Sequence, residues 1–156
     1  MRLKSIIKPQ SVLCNIEARS KKHCLEILSE LMVQIYPEFT CDQIFKYLNK
    51  RERLGCTGLN SGAAFPHCRI GNLRSSSAAL IKLSEPIDFD SSDGELVDLI
   101  FGMLVPEDLN ETHYADIKVI TKLLSNDKLR TSLRSANSNI ELYNALINDS
   151  GLDIQD

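Results

Sequence analysis

The sequence predicts a single layered α/β domain, and three observations carry that expectation. Two segments near the amino terminus repeat apolar residues at helical spacing, two apolar runs of strand length occupy the middle, and helical spacing returns towards the carboxyl end. No repeat, low-complexity segment or linker interrupts this alternation, and 156 residues suit one hydrophobic core, expected over about residues 10–148.

The first helix is expected over Lys21 to Tyr36, where Leu25, Leu28, Leu31, Met32 and Ile35 share a face. Ser20 is placed to cap it and Pro37 to end it. Thr40 opens the second, with Gln43 completing a capping box and Ile44, Phe45 and Leu48 forming the apolar face on the way to Arg51. A glycine-marked loop follows. Ala78 to Leu83 then reads as a strand that stops before Pro86, and Asp90 to Gly94 reads as a turn.

Leu96 to Val105 is apolar apart from Asp98 and Gly102, which suits a central strand covered on both faces; a core helix is the alternative. Beyond Pro106, Asn110 is placed to cap a helix in which His113, Ile117, Ile120 and Leu124 share one side, so that His113 points inward or toward a rim. Leu129 and Leu133 suggest a short helix. Ser138 and Glu141 form a capping box for a last one, with Tyr143, Leu146 and Ile147 on its apolar face and a frayed tail after Asp149.

Composition excludes several classes. Hydrophobic residues make up 43% and charged residues 25%, and no apolar run approaches the roughly 20 residues that cross a bilayer. Lysine and proline interrupt the amino-terminal segment Met1 to Pro9 before a signal-like core can form, so no membrane insertion and a cytoplasmic location are expected. The five cysteines are odd in number and irregularly spaced, which fits reduced thiols. A net charge of −3 argues against direct nucleic-acid binding, and no cofactor is expected.

Within this frame the run Gly62-Ala63-Ala64-Phe65-Pro66-His67 is the most informative. Proline locks its own φ and pushes the preceding residue to an extended conformation, so the His67 imidazole is aimed. Gly55, Gly58 and Gly62 permit tight turns and close approach of backbone N–H groups to an anion, such as a phosphate beside the ring; a plain surface connection is the competing reading. Phe65 belongs either to an apolar docking surface or to the core. His67, His113, Cys56 and Cys68 are zinc-compatible residue types without dense ligand spacing, and nothing marks an activated thiolate for a cysteine hydrolase.

The loop follows Arg51-Glu52-Arg53-Leu54-Gly55-Cys56-Thr57-Gly58 and precedes Leu104-Val105-Pro106, with His113 seven residues beyond that proline. Together these blocks resemble the enzyme IIA component of the bacterial phosphoenolpyruvate-dependent sugar phosphotransferase system, of the fructose and mannitol class, nearest its free-standing nitrogen-regulatory branch. The resemblance runs over nearly the whole chain. Of the family pattern R-E-x-x-G-x-T-G-x-G-x-G-x-A-x-P-H the sequence keeps Arg51, Glu52, Gly55, Thr57, Gly58, Gly62, Ala64, Pro66 and His67; it departs at Asn60 and, just after the histidine, at Cys68, where glycine is usual.

The resemblance implies one enzyme IIA type-2 domain over residues 1–156. Its small mixed β-sheet would be flanked by helices on both faces, with the active histidine near a sheet end. It further implies a phosphoryl carrier that receives phosphate on a histidine from a histidine-containing phosphocarrier protein. The output would be regulation of the nitrogen or potassium kind through target proteins, or alternatively sugar uptake through a IIB component. On this reading His67 is the nucleophile and carrier, His113 hydrogen-bonds the phosphoryl oxygens or fixes the ring, and Arg51 supplies positive charge. Thr57 and Gly58 donate to a phosphate oxygen or close the turn, and Arg69 is a rim charge that meets a partner. An unperturbed imidazole, with a pKa of about 6.5, is largely neutral and nucleophilic near pH 7.

Overall fold

The computed structural model describes residues 3–108 and 111–151. In chain order these form α1 (Leu3–Ile6), a 3-10 turn (Pro9–Ser11), β1 (Val12–Ile16), α2 (Lys21–Ile35), α3 (Cys41–Leu54), β2 (Ala63–Ala64) and β3 (His67–Ile70). There follow β4 (Ser77–Ile87), β5 (Val97–Pro106), α4 (Glu111–Leu124), α5 (Asp127–Arg134) and α6 (Asn139–Asp149).

Five strands make one mixed sheet. β4 and β5 run antiparallel at its centre, β1 lies parallel to β4 on one side, and β2 and β3 lie parallel to β5 on the other. Ala63 pairs with Leu99 and His67 with Met103, so β2 and β3 are two pieces of one edge lane, parted at Phe65 and Pro66. The lane continues across the gap because Met103 N–H donates to the Pro66 carbonyl at 3.0 Å.

The alternation of β5 divides the core. Leu99, Phe101, Met103 and Val105 pack with α4, α5 and α6, while Ile100 and Leu104 pack with α2 and α3. The expected central strand, covered on both faces, is therefore present, and the core-helix alternative is not. Gly102 leaves room for α2: a Cβ there would lie 2.9 Å from both terminal carbons of Leu28.

The helix signals operate through specific hydrogen bonds. Ser20 accepts from His23 N–H at 3.1 Å, and Thr40 and Gln43 form the complete reciprocal box. Ser138 likewise accepts from Glu141 N–H, but the Glu141 carboxylate accepts from Asn137 rather than from Ser138, one residue beyond the expected box. Asn110, expected to cap α4, lies outside the described residues, as does most of the tail after Asp149.

Two expectations are corrected. β4 does not stop before Pro86 but runs through it to Ile87; its register with β5 is irregular between Lys82 and Ile87, and a residue without an N–H is tolerated at such an interruption. The glycine loop is not wholly irregular, since it contains β2 and leads into β3. Lys82, buried in β4, donates to the carbonyls of Arg134 at 2.7 Å and Ala136 at 2.6 Å, fastening the end of α5 to the sheet.

Candidate functional site

His67 is the first residue of β3 and is half-buried at the sheet edge. Two concavities meet at it. A cleft of about 570 Å³ is lined by Tyr47, Arg51 and Leu54 of α3, by His67 and Arg69 of β3, and by Tyr114 and Ile117 of α4, among others. A smaller hollow of about 170 Å³ is lined by Arg51, Thr57, Gly58, Phe65, His67 and Thr121, among others.

The ring is held twice by the residue two positions before it. Its Nδ1 lies 2.7 Å from the Phe65 carbonyl oxygen, and because a carbonyl only accepts, Nδ1 carries the proton and Nε2 keeps its lone pair. The imidazole also stacks on the Phe65 ring, with centroids 4.4 Å apart. Phe65 is thus part of the core, 1% exposed, and not of a docking surface; its far side meets Phe101 edge-on at 5.8 Å. Burial pushes the His67 pKa below its usual value, an effect opposed by the Phe65 hydrogen bond and reinforced by the Arg51 charge.

Arg51 lies in the last turn of α3 and donates to the Gly55 carbonyl at 3.0 Å, which keeps its guanidinium beside the loop. Thr57 is buried, and both of its donors go to one carboxylate: N–H to Glu52 at 3.0 Å and hydroxyl to Glu52 at 2.5 Å. In this state Thr57 closes the loop. Gly58 N–H rests on the Cys56 sulfur at 3.2 Å, a weak acceptor that a stronger one can displace. Gly62 adopts φ +83°, and Arg134, paired with Asp98 at 2.8 Å, donates across to the Ser61 carbonyl at 2.7 Å.

The structure therefore brings His67, Arg51, Thr57 and Gly58 together. His113 lies in the first turn of α4, half-buried; its ring offsets part of the rise that burial imposes on the Asp116 carboxyl, and it is not among the residues lining the two concavities around His67. It does share a helix side with Ile117, one turn further along, which lines the cleft. Arg69 is exposed on the cleft rim, as expected. Sequence reasoning missed the apolar part of this rim, the exposed Tyr47, Leu54 and Tyr114, for which unpartnered large apolar residues on helix surfaces were the available signal. It also gave Glu52 no role beyond its place in the pattern.

Neighbouring strand residues face opposite ways, so Cys68 is buried against α2 and α3 while His67 looks outward. Burial pushes the Cys68 thiol up to about 12, the reverse of an activated nucleophile. Among the described residues, no group of three or more histidine, cysteine, aspartate or glutamate side chains is arranged to hold a metal ion, and no helix is long and apolar enough to cross a membrane.

Comparison with known proteins converges on one family. The family described as phosphoenolpyruvate-dependent sugar phosphotransferase system, EIIA 2, matches residues 5–149. A nitrogen regulatory protein of Pseudomonas aeruginosa is 40% identical over 147 residues, which span 94% of this chain and 96% of that one. One of Escherichia coli K12 is 32% identical over 156 residues, spanning 97% and 93%. The crystal structure of nitrogen regulatory protein IIA-Ntr from Neisseria meningitidis has a TM-score of 0.82 at 33% identity and covers 92% of this chain and 98% of its own. An E. coli complex of enzyme IIAMTL with phosphorylated enzyme IIBMTL contains the same fold, with a TM-score of 0.71 at 17% identity, covering 92% and 99%.

Proposed function

The chain belongs to the EIIA 2 family of the phosphoenolpyruvate-dependent sugar phosphotransferase system, and on that premise we propose that His67 is the residue that takes up and surrenders the phosphoryl group. Its role is that of a regulatory phosphoryl carrier of the nitrogen regulatory kind. The nitrogen regulatory relatives match nearly end to end at 40% and 32% identity, whereas the 2-O-alpha-mannosyl-D-glycerate-specific EIIABC component of E. coli is 27% identical and is spanned over only 23% of its length.

The hydrogen bond from His67 Nδ1 to the Phe65 carbonyl carries the proposal. It leaves Nε2 as the nucleophilic nitrogen of a neutral ring, at the meeting point of two concavities through which a donor protein reaches it. The Nε2 lone pair forms the new N–P bond as the N–P bond of a phosphohistidine on the donor breaks, and the released electron pair returns to the donor's ring. Nδ1 retains its proton throughout, and the Phe65 carbonyl supports the positive charge that the substituted ring acquires. Passage to a recipient is the same step with the chain as donor.

Such transfer rests on alignment and on compensation of charge over the equatorial oxygens. Arg51 supplies the cation, and Gly58 N–H turns from the Cys56 sulfur to a phosphoryl oxygen, while Thr57 keeps the loop in place through Glu52. His113 reaches the phosphoryl group from the first turn of α4 once the donor has docked. The donor is a histidine-containing phosphocarrier protein acting in the cytoplasm, and the recipients are regulatory targets or a IIB-type protein. Residues 1–156 act in this as one domain. The phosphoryl group adds negative charge amid Lys50, Arg51 and Arg69, which changes the partners that this surface tolerates.

Incubation with phosphoenolpyruvate, enzyme I and the phosphocarrier should yield an acid-labile, base-stable adduct that His67→Ala abolishes. Undiminished labelling of the His67→Ala protein would move the acceptor elsewhere.

A further inference from the structure

We propose that Lys21 and Glu52 are positioning residues for the phosphoryl acceptor, holding the His67 ring in its Nδ1-protonated form through Thr57 and Phe65. The inference rests on His67 being that acceptor, but its geometry is independent of any phosphoryl chemistry.

Glu52 lies on the last turn of α3 and is 8% exposed. A buried carboxylate requires both a counter-charge and hydrogen-bond donors. Lys21, the first residue of α2, supplies the charge, with Nζ 2.6 Å from Glu52 Oε1. The same ammonium sits 4.9 Å above the Phe89 ring and 3.9 Å from Asp90 Oδ2, in the segment between β4 and β5. The carboxylate is thus held from outside the loop by α2, whose Lys21 is in turn placed by the segment between β4 and β5.

On its inner side Glu52 spends both oxygens on Thr57, at 3.0 Å and 2.5 Å. The Thr57 carbonyl then accepts from Phe65 N–H at 3.0 Å, and the Phe65 carbonyl accepts from His67 Nδ1–H at 2.7 Å. An unbroken series of hydrogen bonds therefore runs from the ammonium of Lys21 to the reacting ring. The Thr57 link adds to the core contacts of Phe65 in orienting its peptide, and Pro66 fixes the backbone that carries the carbonyl on to His67. Lys21 stands thirty residues ahead of the Arg51 to His67 block and belongs to none of its pattern. Arg53, in contrast, is exposed and takes no part in the series.

The alternative is that the ion pair merely fastens α2 to α3. The two differ at the ring. Full-chain protein labelled with 15N at histidine, as wild type, Glu52→Gln and Lys21→Met, is examined by long-range 1H–15N spectra of the His67 imidazole. Single-turnover phosphoryl uptake from the phosphocarrier is measured on the folded fraction. A mixture of ring tautomers is expected in both variants, together with uptake slowed about tenfold or more, the scale on which small misplacements act. Wild-type tautomer and wild-type rate in folded variants would reduce the pair to a structural fastening and overturn the proposal.

Should Glu52→Gln fail to fold, Lys21→Met, which removes the counter-charge at the head of the series, is by itself held to the same two outcomes. A wild-type protein that takes up no phosphate would end the acceptor reading, while the spectra would still decide whether Lys21 and Glu52 set the ring.

Discussion

His67 is gripped twice by Phe65: the imidazole stacks on its ring at a 29° interplanar angle, and Nδ1 donates to its carbonyl at 2.7 Å. One residue thereby sets both the plane and the tautomer of the next aromatic group along the chain. Since Phe65 is itself locked in the core against Phe101, the rigidity of the domain interior is passed directly to the ring.

The pH dependence follows from the lowered pKa of His67. Burial disfavours the charged ring, so its folded-state midpoint lies below the unfolded value of about 6.5. As pH falls below that value the unfolded chain takes up a proton that the folded ring resists. Stability therefore declines on acidification down to the lowered midpoint and is independent of this group above about 6.5. An NMR titration should find the His67 midpoint below about 6.5, and a midpoint at or above it would contradict the environment described.

Arg51 is separated from a plain helix-end cation by what it does to the ring. Its charge contributes to the lowering of the His67 pKa, so Arg51→Gln should raise that midpoint and slow phosphoryl uptake about tenfold or more. A cation serving only the helix dipole would cost less than about 1 kcal/mol in a denaturant melt and leave both quantities unchanged.

His113→Gln tests the second histidine, which lies in the first turn of α4, next to Tyr114 of the cleft. The variant should take up phosphate several-fold more slowly or lose it faster, read by rapid-quench labelling followed by a chase without donor. Wild-type values for both would place His113 outside the reaction.

Gly62→Ala should destabilise by more than about 1 kcal/mol in a urea melt, because a side chain at positive φ is strained. The new methyl would also stand 2.5 Å from the Arg134 guanidinium, which holds the loop through Ser61. Combining Gly62→Ala with Arg134→Ala should recover the steric part of the loss and leave the backbone part.

Much of this was legible in the linear chain because the responsible interactions are local. Ser20, Thr40 and Ser138 cap helices by reaching three residues ahead, and α2 and α3 announce themselves by spacing. β2 and β3 carry no comparable signal: two and four residues long, they are strands only because β5 lies alongside them. Pro86 misled for the same reason, since its tolerance depends on an irregular register with a distant strand. At the site, the gathering of His67, Arg51, Thr57 and Gly58 could be read from the pattern, whereas the commitment of Thr57 to Glu52 could not.

What the sequence determined alone was the kind of domain, its central strand and the histidine proposed as the acceptor, all encoded in short-range spacing and in one glycine-proline-histidine run. Tertiary structure alone decided that Phe65 is buried beneath the imidazole, that Lys21 answers Glu52, and that Tyr47, Leu54 and Tyr114 share the cleft with His67. These are relations between groups that the backbone must first fold to bring together, and their strength depends on the burial that only the assembled core provides.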